Sequence, residues 1–270
     1  MTRHNIVRRS TLAISVLLLG TLFFHREALA QKQEIRVAAA ADLQFAMADL
    51  AQKYEKETGS KLEVTYGSSG NFFSQLQNGA PFDLFFSADI EYPKKLQSAG
   101  LAEPGTFFEY AIGHIVIWVP PTSKLAIATL QWTALLDPEV QKIAIANPEH
   151  APYGRAAVAA MRSAGIYEKV QAKLVLGENI SQAAQFVQSG NAQAGIVALS
   201  LAVSPAMKDG KRWEIPADSY PPIEQGAIML KSAQNKDAAR AFLEFVKSEP
   251  GRATLAKYGF ATPSAVTPKP

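Results

Sequence analysis

From Glu34 onward, short apolar runs alternate with stretches of helical periodicity, separated by small or polar residues. Glu34-Ile35-Arg36-Val37-Ala38-Ala39-Ala40-Ala41 reads as a buried strand ending in small residues. Asp42 follows, placed to cap a helix whose apolar face is Leu43, Ala46, Met47, Leu50 and Tyr54. Thr58-Gly59 ends that helix, because glycine suits the left-handed position after a helix C-terminus. A second strand over 61–66 meets the turn Gly67-Ser68-Ser69-Gly70, and a helix begins at Phe72-Phe73 and closes at Asn78-Gly79. Residues 81–89 give a third strand and a further cap, Asp89, before a helix containing Tyr92 and Leu96. Three strand–helix alternations in so short a span predict a parallel, doubly wound sheet.

Residues 111–120 form an apolar run longer than most strands, with Gly113 near its start, and are read as one strand crossing between two lobes. The βα pattern then restarts. A strand at 142–146 precedes the loop Asn147-Pro148-Glu149-His150-Ala151-Pro152-Tyr153-Gly154 and a helix over 155–161. Leu174-Val175-Leu176 leads through Gly177-Glu178-Asn179-Ile180-Ser181 into a helix ending near Ser189-Gly190. Ala194-Gly195-Ile196-Val197-Ala198 is another buried strand, and residues 225–230 return the chain to the first lobe. Two amphipathic helices follow, with Ala239, Phe242, Leu243 and Val246 facing a core. The fold class expected is α/β: two lobes of mixed, mainly parallel sheet flanked by helices, joined by a two-segment hinge. The first lobe takes residues 34–112 and 224–262, the second 113–223, and 263–270 form a loose, Pro-rich tail.

The first thirty residues have a different pattern. Arg3, Arg8 and Arg9 precede an uncharged run over 12–24, and Ala28-Leu29-Ala30 is a small-x-small cleavage site, as in a secretory signal peptide. The apolar run is short for a membrane span. The whole chain carries a net charge of +3, but removing residues 1–30 takes away four arginines and one glutamate and leaves a mature charge near zero. No basic field then remains to attract nucleic acid. The absence of cysteine excludes disulfides, thiol nucleophiles and thiolate metal sites. A periplasmic location follows from this reading.

Little in the chain points to catalysis. The mature chain has only His114 and His150, in unrelated contexts, and nothing resembles Gly-x-Ser-x-Gly, a phosphate-binding Walker loop or His-Glu-x-x-His. Ser68 or Ser69 as a nucleophile would need a base, and none stands out. Binding has visible parts. Four loops, at Asp42, Ser68-Ser69-Gly70, Tyr153-Gly154 and Asn179-Ile180, each follow a strand and open a helix. Ligands bind at that edge of open α/β sheets, and a helix N-terminus presents unpartnered N–H groups and a partial positive charge. Two loops from each lobe would converge on an oxyanion without needing a basic residue.

These residues carry a resemblance to the periplasmic molybdate-binding proteins of ABC transporters over nearly the whole mature chain. The matching segments are Val37-Ala38-Ala39-Ala40-Ala41, the Gly67-Ser68-Ser69 turn, Asn78-Gly79-Ala80-Pro81-Phe82-Asp83-Leu84-Phe85-Phe86-Ser87-Ala88-Asp89, Asn147-Pro148-Glu149-His150, Ala194-Gly195-Ile196-Val197 and Lys257-Tyr258-Gly259-Phe260. The resemblance implies an importer's binding component, a monomer without cofactor, that delivers molybdate or tungstate to an inner-membrane permease and its ATPase. Molybdenum or tungsten would be present only as the oxyanion. It also implies the ligand set: Ser69 with its neighbour Ser68 as hydroxyl donors, and the backbone N–H groups of Tyr153 and Ile180. Asp42 stands where the family has a Ser or Thr hydroxyl, and Ala198 where it has a tyrosine; the Tyr153 hydroxyl is a candidate to replace the latter.

Asp42 sharpens the question of ligand. Molybdate, tungstate and sulfate are proton-free dianions near neutral pH and, like an ionised carboxylate, only accept hydrogen bonds. At about 4 Å and an effective dielectric of 20, such a pair repels by roughly 8 kcal/mol. That is prohibitive unless Asp42 is protonated, turned away or paired with a cation, and three readings follow. Asp42 caps its helix and turns only its backbone N–H to the ligand; or it accepts a proton from hydrogen phosphate or arsenate and so selects against molybdate; or it pairs with Arg155, Asn71 or a metal, or coordinates the ligand's central atom. A hydrolase using Ser69 on the same scaffold is the competing class.

Overall fold

The computed structural model describes residues 34–263. The expected signal peptide and all but the first residue of the expected tail lie outside the described residues. In chain order the elements are β1 (Glu34–Ala40), α1 (Gln44–Thr58), β2 (Lys61–Gly67), α2 (Ser69–Gln77), β3 (Leu84–Ser87), α3 (Glu91–Ser98), β4 (Phe108–Gly113) and β5 (Ile115–Val119). They continue with α4 (Ile127–Leu130), β6 (Ile143–Ala146), α5 (Pro152–Ser163), α6 (Tyr167–Val170), β7 (Leu174–Gly177), α7 (Ile180–Gln188), β8 (Ala194–Ala198) and α8 (Leu199–Ala202). The last are β9 (Lys211–Glu214), β10 (Ile223–Met229), α9 (Lys236–Lys247) and α10 (Glu249–Lys257).

The strands form two five-stranded sheets, ordered β2-β1-β3-β10-β4 and β7-β6-β8-β5-β9. Within the first, β1 runs parallel to β2 and β3, as the βα alternation demands, while β10 enters antiparallel between β3 and β4. The second repeats the plan, with β6 parallel to β7 and β8, and β5 antiparallel to β8 and β9. This is the mixed, helix-flanked, two-lobed α/β fold expected. Each lobe has its own core. In the first, α1 and α9 pack their apolar faces on one side of the sheet, and Phe242 meets the rings of Tyr54 and Phe86 at 5.1 and 6.0 Å. Burial of such rings on an amphipathic stripe, rather than helix propensity, stabilises these short helices.

Two local expectations are corrected. The apolar run at 111–120 is two strands in different sheets, not one crossing strand: β4 ends at Gly113 and β5 starts at Ile115. The break falls where a side chain has no room, since a Cβ on Gly113 would run into the Tyr153 hydroxyl and the Gln225 amide. The chain returns to the first sheet between Glu214 and Ile223. Asp42, in turn, caps no helix through its side chain. Residues 41–43 form a single 3₁₀ turn ahead of α1, and no side-chain cap bond is made at either start. Its carboxylate is turned inward.

Candidate functional site

The loops after β1, β2, β6 and β7 meet where the two lobes touch. They enclose a small cavity lined by Ala40, Ala41, Asp42, Gly67, Ser68, Ser69, Ala88, Ala151, Pro152, Tyr153, Asn179 and Ile180. Its free volume is about 10 Å³, on the scale of one small group. A sugar or an amino acid could not enter without the lobes parting. All five residues singled out from the sequence, Asp42, Ser68, Ser69, Tyr153 and Ile180, line this cavity and are buried. A larger groove of about 450 Å³ opens beside it, but its facing charges, Arg155 and Asp89, satisfy each other at 2.5 Å.

Each donor at the cavity is set by a short piece of local structure. Ser68 caps α2, its hydroxyl oxygen accepting weakly from the Asn71 N–H at 3.4 Å. The Ser69 oxygen accepts from the Ala88 N–H at 2.9 Å, which leaves its own proton free to donate. Gly70 N–H donates to the His150 carbonyl at 3.0 Å across the lobes, an approach a Cβ would block. Asn179 caps α7 through the Gln182 N–H, and Pro152 opens α5, where its missing N–H is no loss. The N–H groups of Ser69, Tyr153 and Ile180 remain in the first turns of α2, α5 and α7, beyond reach of any intrahelical acceptor. Three helix N-termini thus converge on one point, and none of the lining residues is Lys, Arg or His.

The one formal charge at the cavity is Asp42, only 1 % exposed. Its Oδ2 accepts from the Tyr153 hydroxyl at 2.9 Å and from Gln225 Nε2 at 2.7 Å. The same Gln225 amide nitrogen donates to the Tyr153 oxygen at 3.0 Å, and the Tyr110 hydroxyl donates to Gln225 Oε1 at 2.6 Å. The Tyr110 hydroxyl also lies 3.2 Å from the Ser87 carbonyl, a second acceptor for its proton. Oδ1 is buried with no hydrogen-bond partner among the described residues. Burial drives the Asp42 carboxyl up to about 6, partly offset by the Gln225 and Tyr153 hydrogen bonds and by the nearby N–H groups of Asp42 and Leu43, which do not reach hydrogen-bond geometry. Tyr110 and Tyr153 are pushed well above the usual phenol range, chiefly by burial and further by the Asp42 charge.

The Tyr153 hydroxyl is thus committed to Asp42 and not available as a replacement for the family's ligand tyrosine. Neither proposed side-chain partner of Asp42 contacts it: Arg155 pairs with Asp89, and Asn71 donates to Glu178. No cluster of potential metal ligands exists among the described residues. Sequence reading missed Gln225, Tyr110, Ser181 and Ser200. A register shift between Gln225 and Gly226 in β10 accompanies the inward turn of the fully buried Gln225, a usual service of a β-bulge. A glutamine directly before the apolar run 226–230 was the available signal. Ser200 and Ser181 donate to the carbonyls of Asp42 and Ala41 at 2.8 and 2.9 Å, tying the turn after β1 to the second lobe.

The chain matches the bacterial extracellular solute-binding protein family over residues 35–261. It is 39% identical over 236 residues to the molybdate-binding protein ModA of Azotobacter vinelandii, covering 86% of this chain and 91% of that protein. Identity to the molybdate-binding protein ModA of Rhodobacter capsulatus is 37% over 229 residues, covering 85% and 88%. Among solved structures, the periplasmic molybdate-binding protein of Azotobacter vinelandii superposes with a TM-score of 0.80 at 34% identity, covering 85% of this chain and 99% of that one. The chain belongs to the bacterial extracellular solute-binding protein family.

Proposed function

We propose that this protein is the periplasmic binding component of an ABC importer, capturing a tetrahedral oxyanion, molybdate or tungstate, between its lobes. The observation that carries the reading is the cavity itself: small, free of basic side chains, and ringed by hydroxyls and the N-termini of three helices from both lobes. Neutral, pre-set donors suit a fully ionised oxyanion. Ser69 and Ser68 supply hydroxyls from the first lobe; Tyr153 and Ile180 supply backbone N–H groups from the second. Only closure brings both sets within reach, so ligand favours the closed form by its differential contacts. That form then docks on a membrane permease whose ATPase drives uptake. Residues 1–30 act as the export signal and are removed. The molybdate-binding relatives support the choice of ligand.

Titration calorimetry with molybdate, tungstate, sulfate, phosphate and arsenate tests this. Tight molybdate or tungstate binding at one site per chain is expected. Tight phosphate binding with no heat from molybdate or tungstate would refute the choice of ligand. Assay of ester and phosphate substrates with a Ser69→Ala control covers the hydrolase alternative: a saturable activity lost in that variant would sink the transport reading.

A further inference from the structure

We infer that Asp42 holds its oxyanion as the neutral acid, with an Oδ1–H donating to the ligand, so that capture of a proton-free dianion takes up one proton from solution. The inference rests on the oxyanion reading above and names a control within the same site.

Two features of the geometry carry it. First, Oδ2 already accepts from the Tyr153 hydroxyl and the Gln225 amide, whose nitrogen also donates to the Tyr153 oxygen, whereas Oδ1 accepts from neither. A proton on Asp42 therefore resides on Oδ1. Second, Oδ1 is buried and unpartnered on a residue that lines the cavity. An ionised Oδ1 offers a dianion only repulsion, whereas Oδ1–H offers the hydroxyl donor that this position otherwise lacks. The groups facing Asp42 are Tyr110 on β4, Tyr153 on α5, Gln225 on β10, Ser200 on α8, and Ser68 and Ser69 at the start of α2. Nearby, Arg155 pairs with Asp89 across the lobes and His150 with Glu178 within the second lobe, and neither pair bonds to Asp42. Among the described residues, no cation pairs with Asp42 to neutralise it.

Burial has already moved the Asp42 carboxyl to about 6, so protonating it at pH 7 costs only about a tenfold factor. That is far less than the repulsion between an ionised carboxylate and a dianion at hydrogen-bonding distance. Protonation wins. If only the neutral acid binds, affinity falls about tenfold per pH unit above 6, or about 100-fold between full protonation and pH 8.

The experiment is calorimetry of the full mature protein with molybdate and with sulfate at pH 6 to 8.5, in pairs of buffers that differ in ionisation enthalpy. Uptake approaching one proton per bound anion at pH 8, and about half that at pH 6, is expected. Asp42→Asn keeps an acceptor for Tyr153 and Gln225 and places an N–H donor where Oδ1–H would be. It should bind with no linked proton and a flat pH profile, and about 100-fold tighter than the wild type at pH 8. Molybdate binding by the wild type with no proton uptake would overturn the proposal and leave the oxyanion reading standing. So would a pH slope that persists in Asp42→Asn, which would place the proton on another group. Heat from no oxyanion at all would remove both. The wild-type proton count needs no variant, so a misfolded Asp42→Asn would not rescue the idea.

Discussion

In the ligand-free protein, a carboxylate buried with one oxygen unpartnered should make the fold less stable as pH rises. The folded value for Asp42 is about 6 against an ordinary 3.8. The folded state therefore holds this proton more tightly than the unfolded chain does. Asp42 adds almost no cost below about pH 3, where it is neutral in both states; its cost grows as pH rises and is complete above about 6. A shift of about two units corresponds to about 3 kcal/mol at pH 8, against less than about 1 kcal/mol at pH 4. Asp42→Asn imitates the neutral acid at every pH and should recover that difference. For a domain of this size, about 3 kcal/mol raises the melting temperature by roughly 6 to 12 °C. Thermal and urea unfolding of ligand-free wild type and variant at pH 4 and pH 8 read this directly. The variant should be clearly more stable at pH 8 and nearly matched at pH 4. An equal gap at both pH values would refute the reasoning, because packing rather than charge burial would then explain the change.

Other substitutions divide the site into its parts. Ser69→Ala removes a hydroxyl donor to the ligand and the acceptor for the Ala88 N–H; molybdate affinity should fall by about 10- to 100-fold by calorimetry, the range for a hydrogen bond to a charged group. Arg155→Ala breaks a partly exposed ion pair across the lobes, 39% and 24% exposed at its two side chains, so affinity should change by less than about fivefold, and a complete loss would make Arg155 a ligand after all. Gly113→Ala forces a methyl into the Tyr153 hydroxyl and the Gln225 amide; overpacking of about 1–3 kcal/mol should weaken binding and reduce the compaction that scattering detects at saturating ligand.

Much of the fold was legible because local signals agreed with one another. The helix-opening loops at Ser68-Ser69-Gly70 and Asn179-Ile180, the apolar faces of α1 and α9, and the βα order all pointed to the same two sheets. The gathering of Asp42, Ser69, Tyr153 and Ile180 was also foreseeable, since strand ends of parallel sheets share an edge. The interior hydrogen bonds were not. That Tyr153 turns its hydroxyl to Asp42, and that Gln225 reaches both from a third strand, depends on pairings far apart in sequence and on a register shift. Asp42 looked like a helix cap because Asp before an apolar periodic run usually is one; here a 3₁₀ turn intervenes and aims it inward. The break at residue 114 was hidden for a similar reason, since both strands are apolar and periodicity does not reveal a change of sheet.

The central claim is that an oxyanion sits among these donors. A crystal structure grown with molybdate, phased at the molybdenum edge, tests it most directly. One strong anomalous peak is expected in the cavity, with ligand oxygens within hydrogen-bond distance of Ser69 Oγ, Asp42 Oδ1 and the N–H groups of Tyr153 and Ile180. A peak in the groove beside Arg155, or no ordered anion in the closed protein, would contradict it.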